Sequence, residues 1–553
     1  MIGVIPKDSE VGVVEEFFQL FKTPWEFYKE NREYDVVLMS RDSATDKIIA
    51  KVLIIFGSET KKFDSDNGIS LEMNRIIKIL RFDNISFPIY SNLSSFRKIS
   101  EENIVLEVDS DVFGLKIQKS KQIILRIGYN LFEEIRYLLS EGQPVDYAFI
   151  PTLDIHISIL KKWITELGIP LIEIPPIPAG FNFITCLTHD VDFVKICDHL
   201  FDHSMWGFVH RGIFGSVKYF IEGKISFSRV IKNWRAVFSL PFVYLRLLND
   251  FWFQFDHYLE IEKDLTSTFF FIPFKYRVGD NVSAQNASLR RAKYDITKLK
   301  ELLVHLINNG NEIGLHGIDA WHNAINGFQE RKLIAEIISR PNLGVRIHWL
   351  LQNCQTFQAL EKAGFLYDST SGYNETIGYR CGTAQVFLPS GLKKLFELPL
   401  HIQDTALFYP NRMNLSEKEA LYLCKKLIKN ASIYAGVLTI NWHQRSLAPE
   451  RLWGDFYIKL LKELRSERPW FATASQIVEW FRKRRAVFFD KVQFLGNKFR
   501  FILRTDEPDI HPSLLLRVHL PFIQRIQSGD ISNQYQNYFD IEWKGEKKIE
   551  ISI

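Results

Sequence analysis

Two carboxylates, Asp190 and Asp192, stand two residues apart in Leu187-Thr188-His189-Asp190-Val191-Asp192, at the end of the apolar run 181–187. A run of that kind reads as a buried strand. In an extended strand, side chains i and i+2 share a face, so both acids point into one space. Acids that close repel, and one stays ionised cheaply only beside a cation. The natural division of labour is one metal ligand and one general base. A lone pair of this kind is more often a polar loop with two solvated acids. Here further reactive side chains follow at the ends of later apolar segments: His316, Arg346, His348, Asp368 and His443. His189 falls on the opposite strand face and reads as a packed core histidine.

The elements that must carry these side chains alternate between strand and helix. Strands are expected at 266–273, 311–316, 344–348, 365–368, 395–399 and 436–443. Helices are expected at 295–309, 356–363 and 416–430. The helix at 295–309 presents Leu299, Leu302, Leu303, Leu306 and Ile307 on one face and stops at Asn308-Asn309-Gly310. Such alternation implies parallel strands joined by right-handed crossovers. In a barrel of parallel strands the C-terminal ends share one rim, where catalytic residues collect. The fold class is therefore α/β, a (β/α) barrel over 180–485. A separate α/β domain precedes it over 1–175, with strands at 35–40 and 51–57 and an amphipathic helix at 130–140. The proline-rich stretch 174–180 is the boundary, since it can continue neither a helix nor a central strand. Beyond it, 487–553 alternates in strand fashion with turns at Gly496-Asn497 and Lys544-Gly545, a small antiparallel β module. A helical insertion at about 197–257 is rich in aromatic and basic residues, among them Trp206, Arg211, Phe214, Lys218, Lys232, Trp234, Arg235 and Phe238. It either covers the barrel or the neighbouring domain, or lies against an anionic membrane surface.

Bulk properties narrow the classes. A chain of 553 residues is too long for one core. A net charge of +4 gives no case for a nucleic-acid partner. Five cysteines without a pattern point to a reducing compartment. The N-terminus lacks the features of a signal peptide, and no window is apolar enough to span a bilayer. The expectation is a cytoplasmic protein, with peripheral association at the inner face of the membrane as a further expectation.

Thr188-His189-Asp190-Val191-Asp192 resembles the first motif of the polysaccharide deacetylase family, the NodB-like carbohydrate esterase family four, in its variant with one residue between the acids. Glu312-Ile313-Gly314-Leu315-His316 resembles the lead-in to its second motif. Gly344–Trp349 sits where the arginine-bearing motif belongs, and Ala363–Thr370 looks like the following strand with its acid. Leu438-Thr439-Ile440-Asn441-Trp442-His443 resembles the last motif. The resemblance spans about 180–485. It implies a distorted (β/α) barrel that removes acetyl groups from an N-acetylated sugar with one divalent metal, usually zinc. It makes Asp190 the base, Asp192 and His316 metal ligands, and Arg346 the partner that keeps Asp190 ionised. His443 becomes the general acid, with Asp368 to orient it and Gln403-Asp404 as the other candidate for that task. The departure is in the second motif, where the position four after His316 is Ala320 rather than histidine. His322 is the preferred third ligand, with Asp319 the alternative. The loop is also similar to that of bacterial deformylases acting on lipid-linked aminoarabinose, which carry an Asp and a Trp there. His348 and Arg380 are weaker picks. The reading is a metal-dependent deacetylase of a nucleotide- or lipid-linked sugar in surface polysaccharide synthesis. Its rivals are a deformylase of a lipid-linked amino sugar, and a non-catalytic carbohydrate or lipid-carrier binder on a degenerate barrel.

Overall fold

The computed structural model describes residues 1–74, 78–97, 104–280, 291–495, 498–507, 509–521, 533–534 and 537–552. The chain divides into two compact units. Unit 1 comprises Met1–Gly180, Cys381–Gly391 and Glu479–Ile553; unit 2 comprises Phe181–Arg380 and Leu392–Val478.

Unit 2 is a distorted (β/α) barrel. Its strands are β1 (Ile184–Val191), β2 (Ser267–Phe271), β3 (Glu312–Gly317), β4 (Val345–Ile347), β5 (Tyr367–Asp368), β6 (Phe396–Glu397), β7 (Ile402–Gln403), β8 (Val437–Asn441) and β9 (Trp470–Phe471). They lie in the order β6-β5-β4-β3-β2-β1-β8-β7, with β9 also on β1. Every pairing is parallel. The sheet closes on itself imperfectly: β6 and β7 are joined by the four residues Leu398–His401, which bond sideways to Asp368, Ser371 and Thr439 instead of completing a ladder. All eight residues of β1 are buried, as expected of a strand covered on both faces. Close approach fixes two glycines. A Cβ on Gly344 would lie 1.9 Å from the Tyr367 ring, and one on Gly314 would lie 2.6 Å from Phe270.

The insertion folds as helices α1 (His203–His210), α2 (Ser216–Ile221), α3 (Phe227–Tyr244) and α4 (Phe255–Ile261), with a π turn over Arg211–Gly215 linking the first two. One face of α3 packs Ala236, Val237, Leu240 and Val243 into a cluster with Ile196, Phe208 and Trp252. The insertion therefore does cover part of the barrel. Its opposite face, with Phe227, Trp234, Phe238 and Phe242, stays exposed.

Unit 1 is α/β. Strands 2–5, 25–27, 34–39, 50–56 and 122–127 run parallel, and the sheet continues antiparallel through 111–119, 93–97 and 70–74. The expected helix begins on Asn130, whose side chain accepts from Phe132 N, and runs Leu131–Ser140. The described strands of the tail pair antiparallel, and the tail groups with unit 1. Leu171–Glu173 pairs with Leu514–His519, and Arg484 is buried while donating to the carbonyls of Gln19, Leu20, Ile174 and Pro175. The expected turn at Gly496-Asn497 lies outside the described residues.

Candidate active site

The strand ends of unit 2 bring the expected side chains to one rim. Asp190 is the penultimate residue of β1, and Asp192 follows its end. Their shared face is confirmed by a shared neighbour: His316 Nε2, from β3, lies 3.3 Å from Asp192 Oδ1 and 3.9 Å from Asp190 Oδ2. His189 points the other way, into a buried pocket against Tyr258, Phe269 and Glu262.

Asp190 is held from two sides. Arg346 Nη1 donates to its Oδ1 at 3.2 Å, and Asn441 Nδ2 donates to its Oδ2 at 2.8 Å. Arg346 is fully buried and fixed by bonds to Thr188 Oγ1, Ser369 O and Ser369 Oγ, with its plane over Phe270. A guanidinium so tethered is a preset counter-charge for the carboxylate. Asn441 and Thr188 were not expected as parts of the site; both are polar residues near the ends of their strands.

The third donor beside Asp192 and His316 is His348, not His322 or Asp319. His348 Nε2 lies 3.4 Å from Asp192 Oδ1, and the three donor atoms lie within 4.8 Å of one another. His348 follows β4 by one residue, and Trp349 and Leu350 after it have φ of 66° and 53°. That left-handed pair is costly for bulky side chains and bends the chain sharply beside the site. Asp319 is committed elsewhere: it pairs with Arg277 at 2.9 Å and accepts from Asp280 N, and His322 Nε2 lies 3.6 Å from it. Ala320 is buried against Gly317 and Gly327, so that turn packs into the barrel wall.

His316 Nδ1 is 3.0 Å from the carbonyl of Arg346. The carbonyl can only accept, so Nδ1 carries a proton and Nε2 is the nitrogen turned toward Asp192. Asp192 Oδ1 is buried, yet it accepts no hydrogen bond among the described residues. Burial pushes the Asp192 carboxyl up, but the imidazoles of His348, His443 and His316 outweigh it and hold it well below the carboxylate range.

His443 follows β8, with Nε2 3.9 Å from Asp192 Oδ2. Its orienting partner is Asp404, not Asp368. His443 Nδ1 lies 2.7 Å from Asp404 Oδ1, and Asp404 Oδ2 accepts from His443 N and Ser446 Oγ. Burial lowers the His443 pKa, but Asp404, with Asp192 and Asp190 beyond, raises it to about 9. Asp368 bonds to Thr370 Oγ1 and faces Glu397; burial raises both carboxyls, as two buried acids in contact cannot both ionise cheaply. Arg380 stacks over Tyr373.

No protein-family model and no curated protein matches the chain. Several solved structures are similar to it. A protein assigned as a polysaccharide deacetylase from Mycobacterium smegmatis is 18% identical, with 56% of this chain and 95% of that one covered and a TM-score of 0.32. The PuuE allantoinase is 13% identical, with 55% and 92% covered and a TM-score of 0.33. A protein assigned as a polysaccharide deacetylase from Pseudomonas aeruginosa PAO1 is 13% identical, with 55% and 92% covered and a TM-score of 0.33.

Proposed function

We propose that this chain is a metal-dependent hydrolase that removes an N-acetyl group from an amino sugar carried on a nucleotide or a lipid. The observation that supports it best is the convergence of Asp192, His316 and His348 between an arginine-bound carboxylate and a carboxylate-bound histidine. Two imidazole nitrogens and one carboxylate oxygen suit zinc at a catalytic site, where three protein ligands leave a position open. The Nε2 atoms of His316 and His348, 3.3 and 3.4 Å from Oδ1 of Asp192, fit that assignment, with His316 fixed through Nδ1 on the Arg346 carbonyl. A divalent cation held there would polarise the amide carbonyl and acidify a water.

The chain's own groups supply the proton traffic. Asp190, hydrogen-bonded by Arg346 and Asn441, takes the proton of the attacking water. His443, oriented by Asp404, carries a proton on Nε2 and gives it to the departing amine nitrogen. The rival reading of a non-catalytic binder rested on the missing histidine at 320, and His348 supplies a third donor without it. We further propose that the exposed face of α1–α3 rests on an anionic membrane. Phe214, Ile221, Phe238 and Leu245 are between 66% and 78% exposed. Residues 203–249 carry seven Arg or Lys and one acid, Glu222, so the face is complementary to acidic headgroups. Among the described residues no helix is long and apolar enough to cross a membrane.

The test is acetate and formate release from UDP- and polyprenyl-linked N-acyl sugars, with metal content measured on the same samples. Asp190→Asn should lose turnover by about 1,000-fold or more and keep its zinc. His348→Ala should lose both. Retention of full zinc in the His348 variant would remove the proposed ligand set.

A further inference from the structure

A cavity of about 230 Å³ opens directly beside the candidate site, bordered by Asp192 and His348. Its wall also carries Arg211, Arg445, Arg451 and Tyr409. The same four residues line a second cavity of about 500 Å³, which runs on beneath α2 and α3 between Tyr219, Phe408 and Trp453. One set of side chains therefore forms the passage from the reacting centre to a larger, partly aromatic chamber. Both cavities lie within unit 2.

Among the described residues one carboxylate, that of Glu450, lies within ion-pair distance of the three guanidiniums of that passage. Arg445 faces Glu450 at 3.3 Å. Among the described residues neither Arg211 nor Arg451 has a carboxylate within ion-pair distance. Arg451 donates to Tyr409 Oη and Ser446 Oγ and lies over the rings of Tyr409 and Trp453. Arg445 is buried, its guanidinium carbon 4.4 and 4.5 Å from the ring centroids of Phe193 and Trp252. Stacking of this kind orients a guanidinium without neutralising it. Arg211 begins the π turn, an irregularity often found where a side chain is aimed at a ligand. Burial and then Arg451 pull the Arg445 guanidinium down to about 10. Burial alone would raise the Tyr409 phenol, yet Arg451, Arg445 and His443 hold it below its ordinary value. Arg445 and Tyr409 thus both feel neighbouring guanidiniums, while Tyr409, Asp404, Glu450 and Asp192 favour the charged form of Arg451.

We propose that Arg211, Arg445 and Arg451 form a subsite for a phosphate or diphosphate ester, so that the sugar hydrolysed at the neighbouring site is one whose anomeric carbon carries that group. This rests on the hydrolase reading above and deepens it by naming the groups that would hold the phosphate of its carrier-linked sugar. The chamber beyond the arginines takes the carrier. Guanidinium groups suit this task because their paired donors match phosphate oxygens two at a time.

The test is binding, which needs no turnover. The full chain, dialysed against chelator so that no metal captures phosphate, is titrated with inorganic pyrophosphate, UDP and farnesyl diphosphate. Saturable binding of pyrophosphate is expected, weakened by added salt, and weakened about tenfold or more in Arg451→Gln and in Arg211→Gln. Arg451→Lys keeps the charge but loses the fork, so it should fall between, and it guards against a variant that does not fold. Tighter binding of farnesyl diphosphate than UDP would assign the chamber to a lipid carrier; the reverse would assign it to a nucleoside. No saturable binding by any of the three, or equal binding in wild type and both glutamine variants, overturns the subsite. Diphosphate binding without acyl release from any sugar would leave the subsite standing and overturn the hydrolase reading. Acyl release from neutral sugars alone, with no diphosphate binding, would do the opposite.

Discussion

Nδ1 of His443 bonds to a fully buried carboxylate at 2.7 Å, and that contact sets the pH at which the ring can still deliver a proton. A ring with its pKa raised to about 9 is protonated at neutral pH, so activity that needs its proton is lost as pH rises through about 9. Asp404→Asn removes the largest raising influence. Its alkaline limb should move toward the ordinary histidine value of about 6.5, with kcat at pH 8 down about 30-fold from the lost proton. An unmoved limb in the pH–rate profile would take His443 out of the acid role. The site was legible where one rule was applied and hidden where the same rule was not. Residues i and i+2 at a strand end share a face, which located Asp190 and Asp192. Arg346 and His348 stand in the same relation at the end of β4, and that spacing was the available signal for the third donor. Asp404 was harder to choose over Asp368, because both acids follow strands and only the barrel's closure decides which one meets His443.

Among the elements, α3 shows what hydrophobic period can and cannot tell. Val230, Val237, Leu240 and Val243 repeat at helical spacing, and so do Phe227, Trp234, Phe238 and Phe242. Sequence alone gives two apolar stripes, and packing decides that the first is covered and the second is not. One face of α3 packs into the cluster around Trp252, and the other is the surface proposed for lipid. Phe238→Ser with Phe242→Ser should lower the fraction that sediments with phosphatidylglycerol vesicles, with affinity down about tenfold or more, as each buried phenylalanine contributes about 1.5–3 kcal/mol. Vesicles of phosphatidylcholine should bind less well at low salt. Equal sedimentation of wild type and the double variant would dismiss the membrane face. Seven of the nine barrel strands were legible to within a few residues, because continuous apolar runs bounded by polar ends have few other readings; the two-residue strands β7 and β9 were not.

At the scale of the whole molecule, strand alternation predicted the barrel, but the path of the chain was not legible. Residues 381–391 belong to unit 1 although barrel sequence flanks them on both sides. There Thr383 Oγ1 and Ala384 N donate to the buried carboxylate of Asp154, and Leu153 N donates to Gly382 O. Such contacts between residues more than 200 positions apart leave no periodic trace. Asp154→Ala strands those donors in the interior and should destabilise unit 1 by about 2 kcal/mol, read as a lower midpoint in urea. The pairing of Leu171–Glu173 with Leu514–His519 has a consequence for synthesis. As the protein leaves the ribosome, the first of these segments must wait, bare along one side, until several hundred further residues have been made. An mRNA that stops before that partner is encoded would therefore yield a product that clumps, however soundly the barrel in the middle has formed.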